Sequence, residues 1–182
     1  MKRALIFLAD GFEEVEALTP ADYMRRAGIE VTLAGIAGKT VKGARGVTVI
    51  ADAGPEALAD NYDAVICPGG MPGARNLAES EKVRTCILRH HAEGRIVAAI
   101  CASPAYVLEG SCHLLKGKKF TGYPGTEGMV QGGHYLHDPV VLDGTIITSK
   151  GPGTAGAFAI ALIDALAGHA KAQEVRQHTL LG

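Results

Sequence analysis

Hydrophobic and polar positions along the chain follow two alternating patterns, one typical of buried strands and one typical of amphipathic helices. Short uninterrupted apolar runs predict strands, which fall at residues 3–8, 29–34, 47–50, 62–67, 96–100, 119–122, 140–142 and 145–148. Apolar positions spaced three and four apart predict helices at residues 13–27, 80–93, 104–109, 154–167 and 170–177. Glycine, a common helix stop signal, follows two of these helices at Gly28 and Gly94.

The order of these elements predicts a doubly wound α/β sheet with helices on both faces, in a single domain over residues 1–182. Residues 96–100 are apolar throughout, as expected of a central parallel strand that is covered on both faces. Ligands of such sheets bind beyond the carboxyl ends of the strands. The loops to examine for chemistry are therefore those at residues 10–16, 68–73, 101–104, 122–125 and 151–156.

Composition narrows the possible partners and the compartment. The 18 basic and 19 acidic side chains nearly cancel, so there is no broad electrostatic reason to bind nucleic acid or an anionic membrane. The first apolar run, residues 4–9, is too short for a signal peptide or a membrane span. The four cysteines form no C-x-x-C pair. We therefore expect a cytoplasmic protein with free thiols and no bound metal.

The strand-to-helix turn at Cys101 is the sharpest candidate for chemistry. A residue on such a turn is held above the sheet, often in strained backbone geometry that tolerates only small neighbours, and Ala102 and Ser103 are small. Backbone N–H groups and the helix dipole there are expected to lower the thiol pKa. The alternative is a buried, inert cysteine, the commonest fate of a free thiol.

Acidic residues follow the first predicted strand, and Glu16 differs from the others. Glu13 and Glu14 are interpreted as ordinary acids of a first helical turn, which complement the helix dipole. Glu16 has apolar neighbours on both sides, so we expect it to point inward at the ligand edge of the sheet. A buried carboxyl has a raised pKa and in its protonated form can donate to a thiolate or act as a general acid or base.

Two glycine-rich loops admit more than one interpretation. In Pro68-Gly69-Gly70-Met71-Pro72-Gly73 the glycines leave backbone N–H groups free to bind an oxyanion, although a plain tight turn explains the motif equally well. Residues 151–156 match G-x-G-x-x-G, but no strand ending in an acid follows about 20 residues later, so we do not interpret them as a dinucleotide site.

The histidines are assigned structural roles. His134 and His137 are three residues apart but lack a third metal ligand. His90 and His91 lie near the end of a predicted helix, where partial positive charge is stabilising. Cys67, Cys86 and Cys112 are interpreted as inert buried thiols.

Five blocks stand in order along the chain, at residues 8–16, 24–28, 68–70, 98–102 and 148–154. Together they resemble the DJ-1/ThiJ/PfpI superfamily, in its DJ-1-like branch, over essentially the whole chain. The resemblance implies a flavodoxin-like three-layer α/β sandwich with a mostly parallel central sheet. It also implies a homodimer and a site that needs no cofactor.

The resemblance also implies roles for individual residues. The reactive cysteine of the family falls on Cys101, and the protonated glutamate that touches its sulfur falls on Glu16. The backbone N–H groups that serve as oxyanion donors fall on Gly70 and Ala102. An arginine lent across the dimer interface falls on Arg45, and Arg26 lies nearby in that comparison.

The chain departs from the family pattern at two positions. The protease-like branch has histidine directly after the nucleophile, where this chain has Ala102, so the Cys-His dyad for peptide hydrolysis is absent there. Some DJ-1-like proteins have a second histidine where this chain has Tyr123. Tyrosine can hydrogen-bond a substrate oxygen but is a poor base at neutral pH, which leaves Glu16 as the obvious proton carrier.

Three functions fit these expectations. The first is a cofactor-free thiol enzyme acting on reactive dicarbonyls, or on glycated thiols or amines, as in glyoxalase III and protein deglycase activities. The second is a protein that senses oxidative stress and acts in a chaperone-like way, in which Cys101 is oxidised to a sulfinic acid. The third is a plain nucleotide-binding flavodoxin-like domain, which predicts a bound flavin or nucleotide.

Overall fold

The chain forms ten strands and five α-helices, and the computed structural model describes residues 1–182. The strands are β1 (Arg3–Leu8), β2 (Glu30–Gly35), β3 (Thr40–Lys42), β4 (Thr48–Ile50), β5 (Ala64–Cys67), β6 (Ile96–Ile100), β7 (Lys119–Phe120), β8 (His134–Tyr135), β9 (Val140–Asp143) and β10 (Ile146–Ser149). The α-helices are α1 (Glu14–Arg26), α2 (Gly73–Glu79), α3 (Glu81–Ala92), α4 (Ala155–Ala167) and α5 (His169–His178).

Six of the strands form the central sheet, in the order β2-β1-β5-β6-β10-β9. All neighbours in this sheet are parallel except β9, which pairs with β10 as an antiparallel hairpin. The hairpin turns at Gly144, whose φ of +63° lies in the left-handed region that favours glycine. The predicted α/β class, with its mostly parallel central sheet, is confirmed.

The helices cover both faces of the sheet because side chains alternate along each strand. In β1, Ile6 and Leu8 belong to the apolar cluster formed with α1, α4 and α5. Their neighbours Leu5 and Phe7 belong to the cluster formed with α2 and α3. The result is a three-layer sandwich, as the resemblance implies. No helix is both long enough and apolar enough to cross a membrane.

The structure differs from the predicted elements in several places. Helix α2 is not predicted, because it begins at Gly73 within a run of glycine and proline. The segment Pro104–Glu109 winds as a π-helical turn rather than an α-helix. The predicted strand at 47–50 lies outside the main sheet and pairs with β3. Strands β3 and β8 have three and two residues, too few to show a period in the sequence.

Candidate active site

The candidate site lies at the point in the sheet where the order of strand addition reverses. From β1 the chain proceeds to β2 on one side, and it later returns to place β5 on the other side. Loops at the carboxyl ends of β1 and β5 diverge at such a point and leave a crevice. Strand β6, next to β5, ends at Ile100, and the following residue, Cys101, brings its thiol to this crevice.

Cys101 has the geometry of a nucleophile elbow. Its φ of +65° lies in the left-handed region, which is strained for a residue with a side chain. Backbone hydrogen bonds hold it there: its N–H donates to the Ser149 carbonyl at 3.0 Å, and its carbonyl accepts from the Tyr123 N–H at 2.8 Å. The Ser103 hydroxyl donates to the Pro68 carbonyl at 2.6 Å and ties the elbow to the neighbouring loop. The side chain is 8% exposed.

Gly69 and Gly70 are required by close approach of the backbone to the site. A Cβ at Gly69 would lie 2.5 Å from the Cys101 Cβ and 2.7 Å from Glu16 Oε2. Gly70 has a φ of +84°, and a Cβ there would lie 2.4 Å from the Glu13 nitrogen. In this conformation the Gly70 N–H, together with that of Ala102, acts to lower the pKa of the Cys101 thiol. The loop is therefore more than a tight turn, because it brings a backbone donor to the thiol.

Glu16 is fully buried beside the thiol, as the sequence predicts. Its Oε2 accepts the Gly69 N–H at 2.8 Å, and the neighbouring Cys101 thiol acts to lower its pKa. Its Oε1 has no hydrogen-bond partner. Burial raises the pKa of Glu16 to about 7, although Cys101 and the bond to Gly69 oppose the increase. The carboxyl can therefore change its protonation state near neutral pH.

The predicted lowering of the Cys101 pKa is wrong while Glu16 is ionised. Burial, followed by the negative charge of Glu16, raises the pKa of Cys101 to about 12, and the N–H groups of Gly70 and Ala102 only partly offset this. Cys101 and Glu16 thus form a pair that loses one proton near pH 7 and the second far above it. Between those values the pair retains one proton and carries one negative charge.

A cleft of about 270 Å³ opens above the pair. It is lined by Cys101, Gly70 and Ala102, together with Glu13, Arg45 and Tyr123. All the candidate site residues except the buried Glu16 therefore line one cavity of a size suited to a small ligand.

The family-model comparison decides the family, because the model of the DJ-1/PfpI family matches residues 2–165. The chain belongs to the DJ-1/PfpI family. The protein dj-1beta of Drosophila melanogaster is 40% identical over 99% of this chain and 97% of its own length. The glutathione-independent glyoxalase DJR-1.2 of Caenorhabditis elegans is 35% identical over 93% of this chain and 91% of its own.

Solved structures of the DJ-1 superfamily also match this fold. The structure of oxidized DJ-1 from Toxoplasma gondii superposes with a TM-score of 0.96 at 35% identity, covering 99% of this chain and 98% of that one. The flavodoxin-like fold expected from the resemblance is therefore confirmed.

Arg45 lines the cleft of its own chain in this DJ-1/PfpI protein. Its Nη2 lies 3.2 Å from Glu13 Oε2 in an ion pair, in which the arginine side chain is 74% exposed and the glutamate side chain 11%. Arg26, which the resemblance places nearby, lies at the other end of α1 and pairs with Asp22 at 2.8 Å. It does not line the cleft.

Tyr123 forms another wall of the cleft. It is half exposed, and its ring lies close to Gly151, where a Cβ would be 3.4 Å from a ring carbon. The G-x-G-x-x-G segment that includes Gly151 continues as a short 3₁₀ turn and then α4. Only α5 follows, so the βαβ unit that surrounds a dinucleotide fingerprint is not formed here.

Glu14 has a larger structural role than the sequence indicates. Its side chain is buried, and its Oε1 accepts the N–H groups of Arg45 at 2.8 Å and Val47 at 3.2 Å. Glu14 does lie in the first turn of α1, as interpreted from the sequence, but it also binds a distant loop. Because the partners are more than 30 residues away, no local sequence pattern reveals this role.

His90 is buried and neutral, not a charged residue at the end of a helix. Its Nε2 accepts the Tyr62 N–H at 3.0 Å, and its Nδ1 donates to the Cys86 carbonyl at 2.7 Å. Burial lowers its pKa. No group of three or more His, Cys, Asp or Glu side chains is arranged to hold a metal ion.

Proposed function

We propose that this chain is a cofactor-independent cysteine enzyme that acts on reactive dicarbonyls or on their adducts with thiols and amines. The observation that carries the proposal is the arrangement around Cys101. A thiol on an elbow lies beside buried Glu16, is acted on by two backbone N–H groups and faces a small cleft. These are a nucleophile, a proton carrier and oxyanion donors in one place.

The reactive form in this proposal has Cys101 as thiolate and Glu16 protonated. The N–H groups of Gly70 and Ala102 act on the sulfur and stabilise negative charge there. Glu16 Oε1 is buried beside the thiol without a hydrogen-bond partner. A proton on the carboxyl therefore satisfies both groups, because the acid donates to the sulfur while Oε2 continues to accept the Gly69 N–H.

With methylglyoxal as substrate, the thiolate adds to the aldehyde carbon and forms a C–S bond. The carbonyl electrons move to the oxygen, which the Gly70 and Ala102 N–H groups stabilise and Glu16 protonates, giving a hemithioacetal. The Glu16 carboxylate then takes the proton from the first carbon and delivers it to the second oxygen, giving an enediol. It next takes the hydroxyl proton from the first oxygen and delivers it to the second carbon, leaving a lactoyl thioester. Water adds to the thioester carbon and the C–S bond breaks, so that lactate and the thiolate are released, one proton returns to Glu16 and one goes to solvent.

The dimensions and lining of the cleft support small substrates. Its volume of about 270 Å³ lies just below the range of about 300 to 1,000 Å³ that is usual for ligand pockets. The half-exposed Tyr123 hydroxyl can bond a second substrate oxygen. A relative that covers most of this chain at 35% identity is a glutathione-independent glyoxalase, which also supports this choice of reaction.

The assay is formation of lactate from methylglyoxal without added glutathione. We expect wild-type protein to produce lactate and Cys101→Ser to lower kcat by at least about a thousandfold, because the nucleophile is lost. The matched control is Cys86→Ala, which removes another buried thiol and is expected to retain activity. Equal lactate yields from wild type and Cys101→Ser would rule out this mechanism.

A second function, sensing of oxidative stress with chaperone-like activity, uses the same thiol. The two N–H groups at the Cys101 sulfur are placed to bind the oxygens of a sulfinate, and a Toxoplasma gondii relative of the same fold is described as oxidized. Titration with peroxide followed by mass spectrometry tests this function. It predicts a two-oxygen adduct at Cys101, and absence of that adduct would remove it.

We also propose that the protein is a homodimer and acts in the cytoplasm. Val15, Val47 and Ile50 are exposed apolar side chains, and the bond from Val47 to Glu14 joins their two segments. Burial of these residues against a second copy would remove them from water. Four unpaired cysteines are consistent with a reducing compartment. Light scattering on wild type and Ile50→Lys tests the dimer, which the lysine should weaken.

A further inference from the structure

Glu14 is a buried carboxyl that the proposed reaction does not use. It lies in the first turn of α1 and is 7% exposed. Its Oε1 accepts two backbone N–H groups from the loop between β3 and β4, those of Arg45 at 2.8 Å and Val47 at 3.2 Å. Its Oε2 is buried without a hydrogen-bond partner. Both hydrogen bonds of the side chain are therefore made to one loop.

The loop, residues 43–47, is built around this carboxyl. A Cβ at Gly43 would lie 2.3 Å from Glu14 Oε1 and 2.4 Å from its Cδ, so the carboxyl rests directly against the glycine backbone. The Ala44 N–H also donates to the Phe12 carbonyl at 2.7 Å. These contacts fix the backbone of Arg45 relative to the loop that follows β1.

The Arg45 side chain in turn controls the charge of the cleft. Its guanidinium lies 3.2 Å from Glu13 Oε2, and both residues line the cleft in front of Cys101. The Glu13 side chain is only 11% exposed, so water screens its charge incompletely. Without Arg45 this carboxylate would present an uncompensated negative charge to a ligand approaching the thiol.

We propose that Glu14 is a positioning residue, which holds Arg45 over Glu13 and thereby keeps the entrance to Cys101 open to anionic electrophiles. Loss of the Glu14 carboxyl frees the Arg45 backbone, separates the ion pair and leaves Glu13 unpaired in the cleft. The substrates that this arrangement favours are carbonyl compounds that carry a carboxylate, such as 2-oxo acids. The inference rests on the proposed function only in taking this cleft as the route by which electrophiles reach Cys101.

The test compares two alkylating reagents that differ in charge, anionic iodoacetate and neutral iodoacetamide. The rate of modification of Cys101 is measured by mass spectrometry in wild type, Glu14→Ala, Arg45→Ala and the double variant. We expect the iodoacetate-to-iodoacetamide ratio to fall about threefold to tenfold in each single variant. The double variant should fall no further, since both changes remove the same charge compensation. A general loosening of the fold would change both rates and leave their ratio unaltered.

Two further variants separate positioning from loss of folding. Glu14→Gln retains an oxygen acceptor for the Arg45 and Val47 N–H groups, so its ratio should stay within about twofold of wild type. Gly43→Ala pushes the Glu14 carboxyl off the loop and should reproduce the Glu14→Ala ratio even if Glu14→Ala does not fold. An unchanged ratio in Glu14→Ala or Gly43→Ala, or a double variant whose loss is the product of the two single losses, would overturn the proposal.

Failure of the proposed enzyme function is recognised separately. Absence of lactate from methylglyoxal would remove the enzyme function while the alkylation ratio still reports on the cleft. If neither reagent modifies wild-type Cys101, hydrogen exchange of the Arg45 and Val47 amides tests whether Glu14 holds this loop in place. Exchange should be slow in wild type and Glu14→Gln and at least about tenfold faster in Gly43→Ala, and equal exchange in all three would overturn the proposal.

Discussion

Cys101 and Cys86 are both buried thiols with raised pKa, yet their surroundings differ in kind. Cys86 is 2% exposed and Cys101 8%, and burial is the first cause that raises their pKa, to about 11 and about 12 respectively. Cys86 lies in α3 beneath a groove of about 610 Å³, more than twice the volume of the cleft at Cys101. Neither thiol pKa nor cavity volume therefore identifies the candidate site.

The partners of the two thiols do distinguish them. The Cys86 sulfur lies 3.6 Å from His90 Nδ1, an arrangement that resembles a Cys-His dyad. However, both ring nitrogens of His90 are occupied, one by the Cys86 carbonyl and the other by the Tyr62 N–H. His90 cannot accept the Cys86 proton, whereas Glu16 Oε1 is buried beside Cys101 without a hydrogen-bond partner. Arg89 beside Cys86 also has an unpartnered Nε, but a guanidinium cannot accept a proton. A free proton acceptor next to the thiol therefore marks the reactive position.

Replacement of Glu16 by leucine should make the surroundings of Cys101 resemble those of Cys86. The leucine fills the space but carries no proton, so kcat/KM for methylglyoxal should fall by about a hundredfold or more. Lactate formation measures the loss, with Cys86→Ala as the control that should stay within about twofold of wild type. A Glu16→Leu protein with more than half of wild-type activity would contradict the assigned role.

The pH dependence of stability should distinguish the Glu16 site from the Cys86 site. Burial holds the Glu16 pKa at about 7, against 4.5 for an ordinary glutamate. The folded state thus binds this proton more tightly, and the stability it contributes is complete below pH 4.5 and lost as pH rises through 7. Between pH 5 and 8 wild type should lose about 2 to 3 kcal/mol that Glu16→Gln does not lose.

Urea unfolding at pH 5 and pH 8 measures this difference. Cys86→Ala is the control here too, since it should keep the pH dependence of wild type with an offset from lost burial. Parallel pH dependence in wild type and Glu16→Gln would show that Glu16 does not hold its proton more tightly in the folded state.

Two glycines with left-handed backbone, one in each region, allow the cost of adding a Cβ to be compared. Gly70 adjoins Cys101, and Gly94 follows α3, the helix that contains Cys86; their φ values are +84° and +69°. A Cβ at Gly94 meets nothing within 4 Å, whereas one at Gly70 lies 2.5 Å from the Gly11 carbonyl oxygen. Both alanine variants incur about 1 kcal/mol of left-handed strain.

Gly70→Ala should cost about 2 kcal/mol more than Gly94→Ala, because its collision is with backbone that cannot move aside cheaply. It should also lower lactate formation by displacing an oxyanion donor, whereas Gly94→Ala should not. Urea unfolding and the lactate assay measure the two effects. Equal costs in the two variants would mean that the Gly69-Gly70 loop tolerates more movement than its contacts indicate.

The residues that the sequence could identify are those whose surroundings are local. Strand β6 and the elbow are contiguous, so the apolar run and the small residues around Cys101 predict them together. Glu16 is recognisable because its immediate neighbours are apolar, and Gly70 because it follows a strand in a glycine-rich loop. In each case the family resemblance pointed to the same residue.

The rest depends on partners distant in the chain. The carboxyl of Glu14 is explained only by the N–H groups of Arg45 and Val47, and the neutral state of His90 only by Tyr62. The Cys101 pKa was wrongly predicted because burial and the charge of Glu16 outweigh the backbone donors. Burial of Cys101 and its proximity to the Glu16 charge are both set by packing, which the pattern of residue types does not reveal.

Alkylation of Cys101 by iodoacetamide as a function of pH is the most direct test of the claim that Cys101 is a thiolate while Glu16 holds a proton. Cys86 in the same molecule is the internal reference. In the proposed reactive form, loss of the first proton leaves the charge on the Cys101 sulfur and a proton on Glu16, so the Cys101 rate should rise through a midpoint near pH 7. Cys86, with a pKa of about 11, should show no plateau below pH 10. A Cys101 midpoint at or above the free-thiol value of about 8.5, or a profile that parallels that of Cys86, would contradict it.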